Sequence, residues 1–269
     1  MPIELPLAGL KLVVTRPERQ AQVSTDALRA AGAWVLKLPV LAISPIPATL
    51  DADDISRAAG IIFVSANAVQ HGVPLLPAAA KLPRETTIFA IGRATAAALV
   101  AAGFENVVSP QQSIDSEGLL ALPELHRVKG RHIILVKGVS ETGGRTLLES
   151  TLISRGATTV VLACYRRRAC QPAAASQQAL ATQLAAGHRL IFFALSIETM
   201  DSLISLFSIM NISAANQILL VPHPRVAAAA RERGFVQIFA VPMAEANLVD
   251  TLATLKPDLL SIAANTNNR

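Results

Sequence analysis

Cysteine is scarce in this chain, which contains only Cys164 and Cys170. Their spacing matches neither CxxC nor a zinc-ligand pattern, so the sequence predicts no metal site and no redox role. We interpret both residues as reduced thiols with a structural role.

The sequence motifs of common cofactor and hydrolase sites are also lacking. No glycine-rich dinucleotide or phosphate loop follows a predicted strand, and no GxSxG elbow is present. The five histidines stand apart from any carboxylate at ligand spacing, and nothing resembles a paired-carboxylate site. The sequence therefore indicates no cofactor, and it favours a protein that binds an anionic small molecule and does little covalent chemistry itself.

Long apolar runs are absent although the mean hydropathy is +0.44. No run of about 18 uncharged apolar residues occurs, and Arg93 interrupts the nearest candidate, Ile88–Phe104. Glu4 and Lys11 are not typical of a signal peptide. We therefore expect a soluble, cytoplasmic protein that does not bind a membrane.

Positive charge is in excess, with a formal net charge of +5. That balance admits a nucleic acid or an acidic small molecule as partner. The basic residues are scattered singly, apart from Arg166 to Arg168, and no zinc finger, basic helix or aromatic-rich basic sheet is present. The sequence thus disfavours nucleic acid and favours the acidic small molecule.

Short apolar runs alternate with helical patterns, and 269 residues are enough for two cores. This alternation predicts an α/β fold with parallel sheets. Pro39, Pro45 and Pro47 mark an extended connector. The predicted strands are Leu10–Thr15, Trp34–Val40, Ile61–Val64, Thr87–Ile91, Asn106–Val108, His132–Val136, Thr159–Ala163, Leu190–Phe193, Gln217–Val221 and Val236–Val241. The predicted helices include Glu18–Ala31, Ala94–Ala102, Ser116–Leu122, Thr146–Ser154, Ile197–Phe207, Arg225–Arg233 and Glu245–Leu255, followed by a frayed tail at 263–269.

Two segments resemble each other and favour an internal duplication. Residues 61–108 and 190–241 each contain a strand, a serine, a helix, a second strand and an alanine-rich helix. Each alanine-rich helix is followed by Gly-Phe, at Gly103-Phe104 and Gly234-Phe235. General likeness among α/β units is the alternative explanation.

Polar residues follow the predicted strands, where ligands of parallel sheets bind. This set is rich in hydroxyls and cations, and helix N-termini behind it would add N–H groups that favour an anion. Arg225 either binds a carboxylate or is simply a solvated cation. The candidate binding residues are Arg16, Ser65, Ala66, Gly92, Thr95, Lys137, Gly138, Ser196, His223 and Arg225.

Short motifs follow one another along most of the chain: Val14-Thr15-Arg16-Pro17; Leu38-Pro39 with Ile43-Ser44-Pro45; Phe63 to Val69; Ala90-Ile91-Gly92 with Thr95-Ala96; Ser116 to Leu120; Lys137-Gly138 with Gly144-Arg145, Leu148, Leu152 and Gly156-Ala157; and Tyr165-Arg166. In this order and spacing they resemble the motifs of the uroporphyrinogen-III synthase family, from about Leu10 to about Leu255. Two positions depart from the pattern: Ser196 is displaced by one residue, and the turn before Arg225 lacks a hydroxyl.

The resemblance implies two similar flavodoxin-like parallel-sheet domains, one of them discontinuous, joined by a two-stranded antiparallel connector. Here residues 1–38 and 172–262 would form the discontinuous domain and residues 50–160 the inserted one. Residues 39–49 and 161–171 would be the connector strands.

The resemblance also implies a reaction: hydroxymethylbilane, a linear tetrapyrrole with eight carboxylates, is closed to uroporphyrinogen III with loss of water and inversion of ring D. Tyr165 would donate the proton to the departing hydroxyl, and a half-buried structural tyrosine is the alternative. We expect a monomer, and transient contact with neighbouring pathway enzymes stays open. The competing hypotheses are a two-lobed binding protein for an anionic small molecule and a nucleotide-dependent or DNA-binding regulator.

Overall fold

Strands and helices alternate along the chain, as the apolar runs predict. The computed structural model describes residues 5–78, 81–111, 115–140, 146–241, 243 and 247–264. The chain divides into unit 1, Met1–Ala42 with Arg168–Arg269, and unit 2, Ile43–Arg167. The finer limits given above, with separate connector segments at 39–49 and 161–171, stay a prediction.

Unit 1 contains a five-stranded parallel sheet in the order β10-β9-β8-β1-β2. In chain order this is the 2-1-3-4-5 arrangement of flavodoxin-like folds. All four residues of β9 are buried, as in a strand covered on both faces. The strands are β1 (Lys11–Val14), β2 (Trp34–Lys37), β8 (Ile191–Phe193), β9 (Ile218–Val221) and β10 (Gln237–Ala240), and the helices are α1 (Glu18–Ala30), α8 (Ala174–Ala185), α9 (Ile197–Met210), α10 (Pro224–Glu232) and α11 (Leu248–Ala264).

Unit 2 repeats most of that arrangement in the order β3-β7-β6-β4-β5. Strands β4 to β7 are parallel and follow the same 2-1-3-4 order. The strands are β3 (Leu41–Pro45), β4 (Ala58–Phe63), β5 (Thr87–Ala90), β6 (His132–Ser140) and β7 (Thr158–Ala169), and the helices are α2 (Ala52–Ser56), α3 (Ala66–Gly72), α4 (Arg93–Ala101), α5 (Ser116–Leu120), α6 (Pro123–His126) and α7 (Leu147–Ser154). The expected α/β fold with two similar parallel sheets is confirmed.

The Gly-Phe pairs end corresponding helices with the same geometry. Gly103 and Gly234 both have φ +88°, the left-handed conformation that ends helices and that glycine adopts without strain. The N–H of Phe104 donates to the carbonyl of Leu99, as that of Phe235 does to Ala230, each at 3.1 Å. The sequence likeness of the two segments is therefore matched by a backbone likeness.

Several elements differ between the sequence prediction and the structure. The strand predicted at Asn106–Val108 is reduced to a single bridge from Val108 to Phe89, because Asn106 has a left-handed φ of 54° that breaks the extended chain. Helices α2, α3, α6 and α8 have no range among the predicted helices, and α11 is longer than predicted. None of the described helices is long and apolar enough to cross a membrane.

Helix α11 extends beyond the predicted end at Leu255 and continues past Pro257 to Ala264. Proline inside a helix removes one backbone donor and its ring clashes with the preceding turn, so continuation past Pro257 needs a compensating contribution. Leu252 and Leu259, on either side of that proline, are both fully buried in the core beside β1. Burial therefore carries the helix into the segment predicted to be frayed, and residues 265–269 lie outside the described part of the chain.

Candidate functional site

The candidate residues of unit 2 follow neighbouring strands. Ser65 follows β4, Gly92 follows β5, and Lys137 and Gly138 lie near the end of β6. Strands β6, β4 and β5 are adjacent in the sheet, and their carboxyl ends therefore share one edge. Tyr165 lies on β7, which is the next neighbour of β6.

Ser65 and Tyr165 contact each other directly. The Ser65 Oγ and the Tyr165 hydroxyl oxygen are 3.0 Å apart, a hydrogen bond in which either atom could donate. Ser65 is also the N-cap of α3, where its Oγ accepts from the N–H of Ala68 at 3.0 Å. Two candidates separated by 100 residues in sequence thus form one hydroxyl pair.

Gly138 gives the Tyr165 ring the space that it occupies. A Cβ added at Gly138 would lie 2.3 Å from both Cε2 and Cζ of Tyr165, closer than two non-bonded carbon atoms can approach. Tyr165 is only 3% exposed, and its ring packs against the backbone of β6 at this glycine. Gly138 is predicted to bind a ligand, and the structure shows that it also leaves space for the ring of Tyr165.

A register shift precedes Tyr165 in β7. Lys137 pairs with Ala163, but the next residue of β6, Gly138, pairs with Tyr165, so Cys164 is an extra residue on the β7 side. Such an insertion reorients the side chains that follow it. Consecutive residues of a regular strand point to opposite faces of the sheet. Cys164 and Tyr165 are consecutive, yet both are buried in the same core cluster. The shift thus turns Tyr165 towards α3, where Ser65 lies.

His71 is a neighbour of Tyr165 that the sequence does not indicate. His71 on α3 is half-buried, with its ring centroid 5.7 Å from that of Tyr165. Position 71 carries no motif, and only the fold brings it near Tyr165. An imidazole beside a phenol adds a second titratable group to this site.

Cys164 is free, as expected, and fully buried. Its Sγ lies 3.6 Å from the carbonyl oxygen of Lys137 and 3.8 Å from that of Ala68. Burial raises the pKa of this thiol from its ordinary value of 9.0 to about 11. A neutral thiol beside two carbonyls fits the structural role predicted for it.

This pKa difference predicts a loss of stability at alkaline pH that Cys164→Ser removes. The unfolded thiol ionises near pH 9.0 and the folded one near 11, so its stabilising contribution is complete below the first value and lost as pH rises through the second. A pKa difference of two units between the unfolded and folded protein corresponds to about 3 kcal/mol in the free energy of unfolding. Urea unfolding of both proteins, from neutral pH upwards, measures the difference, and parallel stability curves would contradict this account of the thiol.

The other unit 2 candidates differ in their exposure and in their charge partners. Lys137 Nζ pairs with Glu149 Oε2 at 3.1 Å, so its charge already has a counter-ion. Thr95 is only 3% exposed within the first turn of α4, and Gly92 is buried at the N-cap of that helix. Ala66 is exposed at the start of α3. Gly144-Arg145, part of the motif that includes Lys137, lies outside the described residues.

Unit 1 presents its candidates at one edge of its own sheet. Arg16, Ser196 and His223 follow β1, β8 and β9, which are adjacent strands. Arg16 donates from Nη2 to the carbonyl of Met243 at 3.2 Å. His223 is the N-cap of α10 and Arg225 lies in its first turn, and both side chains are exposed.

Ser196 caps a helix as Ser65 does, although it is displaced by one residue from the family pattern. It is the N-cap of α9, and its Oγ accepts from the N–H of Thr199 at 3.1 Å. The extra residue is accommodated between the end of β8 and the cap. Its hydroxyl partner is Thr199 Oγ1 at 3.0 Å, whereas Ser65 has a tyrosine. The two units thus share the cap and differ in what the cap contacts.

The family described as HEM4: Uroporphyrinogen-III synthase HemD matches residues 22–248. This covers well over half of the chain and includes every candidate above except Arg16. The chain belongs to the uroporphyrinogen-III synthase family. The resemblance predicted from the ordered motifs is confirmed.

Individual relatives agree with this assignment. The chain is 31% identical over 166 residues to the uroporphyrinogen-III synthase of Escherichia coli K12, covering 59% of this chain and 65% of that protein. It is 32% identical over 171 residues to that of Synechococcus elongatus, covering 61% and 63%. The chain thus spans a little under two thirds of the length of these relatives.

A solved structure shows the same fold. The uroporphyrinogen-III synthetase of Helicobacter pylori 26695 has a TM-score of 0.60 at 16% identity, covering 94% of this chain and 99% of that one. A uroporphyrinogen III synthase mutant from the extremely thermophilic bacterium Thermus thermophilus has a TM-score of 0.57 at 19% identity, covering 94% and 100%. At such low identity the likeness speaks for the fold alone, which this family member shares along most of its length.

Proposed function

We propose that the chain is a uroporphyrinogen-III synthase, a cyclising lyase of tetrapyrrole biosynthesis that converts hydroxymethylbilane to uroporphyrinogen III. The observation that carries this proposal is family membership over residues 22–248. Hydroxyls and cations at the strand ends of each unit suit a substrate with eight carboxylates.

In the proposed reaction the hydroxyl leaves the carbon attached to ring A, and the resulting cation attacks the substituted carbon of ring D. The spiro intermediate then fragments and closes again with ring D inverted. Without an enzyme the bilane closes to the uninverted isomer, so the protein's main contribution is control of geometry. Arg16, Ser196, His223 and Arg225 in unit 1, with the strand-end residues of unit 2, are proposed to bind the substrate.

Tyr165 is proposed as the proton donor to the departing hydroxyl. A phenol that already has one hydroxyl neighbour, Ser65 at 3.0 Å, can release a proton without leaving an isolated buried charge. Since Tyr165 is only 3% exposed, we propose that substrate approaches it along the edge of the sheet at which Ser65 and Gly138 lie. That edge is half-exposed at both residues.

The isomer of the product distinguishes this proposal from its competitors. Hydroxymethylbilane prepared enzymatically is supplied to the purified chain, and the product is separated into the inverted and uninverted isomers beside a protein-free sample. We expect the inverted isomer only in the presence of the chain. A binding protein would retain the bilane or leave only the uninverted isomer, and either result would overturn the proposal.

A further inference from the structure

The Ser65 hydroxyl forms two hydrogen bonds, one with the N–H of Ala68 and one with the Tyr165 hydroxyl. The N–H of Ala68 can only donate, so it occupies an acceptor position of the Ser65 oxygen. A hydroxyl has one hydrogen and two acceptor positions, which leaves its hydrogen available for the second partner. That partner is the Tyr165 oxygen at 3.0 Å.

We propose that Ser65 is a positioning residue for Tyr165, donating its hydroxyl hydrogen to the phenol oxygen as Tyr165 gives up its proton. This inference rests on the proposed function of Tyr165. When the C–O bond of the substrate breaks, the departing hydroxyl takes the phenol proton and leaves as water. The phenolate regains a proton when the final ring closure releases one, so the step balances.

The surroundings explain why this hydrogen bond matters. Tyr165 is buried in an apolar cluster, where an unsolvated phenolate would be strongly disfavoured. The ring is fixed between the backbone at Gly138 and the ring of His71, which limits how far the oxygen can turn towards water. The N-cap bond to Ala68 fixes Ser65 in turn. A preorganised donor thus faces the atom on which charge develops.

The single tyrosine of the chain allows a direct test without substrate. Its ionisation is followed by near-ultraviolet absorbance of the full chain as pH rises. We expect Ser65→Ala to lower the acid dissociation constant of the phenol about tenfold, because a bond to the charged form is lost. Ser65→Thr should restore it. The neighbouring titratable groups, His71 on α3, Cys164 on β7 and Lys137 with Glu149, are unchanged in every variant.

Two variants separate this effect from helix capping. Ser65→Gly also lacks the hydroxyl but is well tolerated at an N-cap, so it serves if Ser65→Ala folds poorly. Asp115→Ala removes the side-chain cap of α5, which accepts from the N–H of Gly118 at 2.8 Å, without touching Tyr165. We expect Asp115→Ala to lose stability but keep the wild-type titration and turnover. An unchanged phenol titration in both Ser65→Ala and Ser65→Gly would overturn the proposal.

Turnover gives a second test. We expect Ser65→Ala to lower kcat about tenfold with KM nearly unchanged, and to have no further effect in a Tyr165→Phe background. Equal slowing in both backgrounds would show that Ser65 acts independently of Tyr165 and would overturn the inference. Failure of the proposed function is a different result: the wild-type chain would then form only the uninverted isomer, whatever the titration shows.

Discussion

Replacing Tyr165 with phenylalanine is expected to slow turnover of hydroxymethylbilane by about 10²-fold, while the product formed on the protein, measured at protein concentrations that outcompete spontaneous closure, stays the inverted isomer. In the proposed mechanism the rate falls because the variant lacks the phenol that is proposed to protonate the departing hydroxyl. The isomer stays the same because the bound geometry, and not the proton transfer, directs ring D. Phenylalanine keeps the ring that packs at Gly138, so the fold is retained. Single-turnover rates and isomer analysis measure the two effects separately.

Thr86→Val is the matched control for this substitution. Thr86 Oγ1 donates to the carbonyl of Ala58 at 2.7 Å, so this variant also removes one hydroxyl hydrogen bond from unit 2. Thr86 precedes β5 and thus lies at the opposite edge of the same sheet. Each variant should lose about 1 kcal/mol of stability, but only Tyr165→Phe should be slow. Unchanged turnover in Tyr165→Phe would remove Tyr165 from the mechanism.

Adding one methyl group at Gly138 is expected to be the most damaging small substitution near the site. In Gly138→Ala the new Cβ would lie 2.3 Å from two ring carbons of Tyr165, so the ring must leave the position in which its hydroxyl lies 3.0 Å from Ser65 Oγ. Overpacking of this kind costs about 1–3 kcal/mol. Turnover should fall at least as far as in Tyr165→Phe, since the phenol is displaced as well as strained. Urea unfolding and single-turnover kinetics measure both effects.

A double-mutant cycle attributes that damage to the tyrosine ring. In a Tyr165→Val background the ring carbons are gone, and Gly138→Ala should then cost less than about 1 kcal/mol. An equal cost with and without the ring would mean that Gly138 is needed for its backbone and not for the space above it. That outcome would contradict the packing described here.

The sequence predicts the fold well because the fold depends on local patterns. Short apolar runs mark the buried strands, as in β9, and the Gly-Phe pairs correctly mark two helix ends. The errors arise where tertiary contacts override a local signal. Helix α11 is predicted to end at Leu255, but the burial of Leu252 and Leu259 is consistent with its continuation past Pro257. Asn106 breaks a strand that its neighbours favour.

The site is predicted less completely because it depends on register. Tyr165, Ser65 and Gly138 are each indicated separately, by motif or by position after a strand. Their association depends on the extra residue at Cys164, which shifts the pairing of β6 with β7 by one. No local pattern reveals such a shift, since β-strand periodicity would place Tyr165 on the other face. The sequence misses His71 for the same reason: only the register brings its ring to Tyr165.

The isomer composition of the product tests the central claim most directly. Spontaneous closure of hydroxymethylbilane competes with the proposed enzymatic reaction, so we expect the fraction of inverted isomer to rise with the concentration of the wild-type chain until uroporphyrinogen III is the only product. A product that remains the uninverted isomer at every protein concentration would contradict the account.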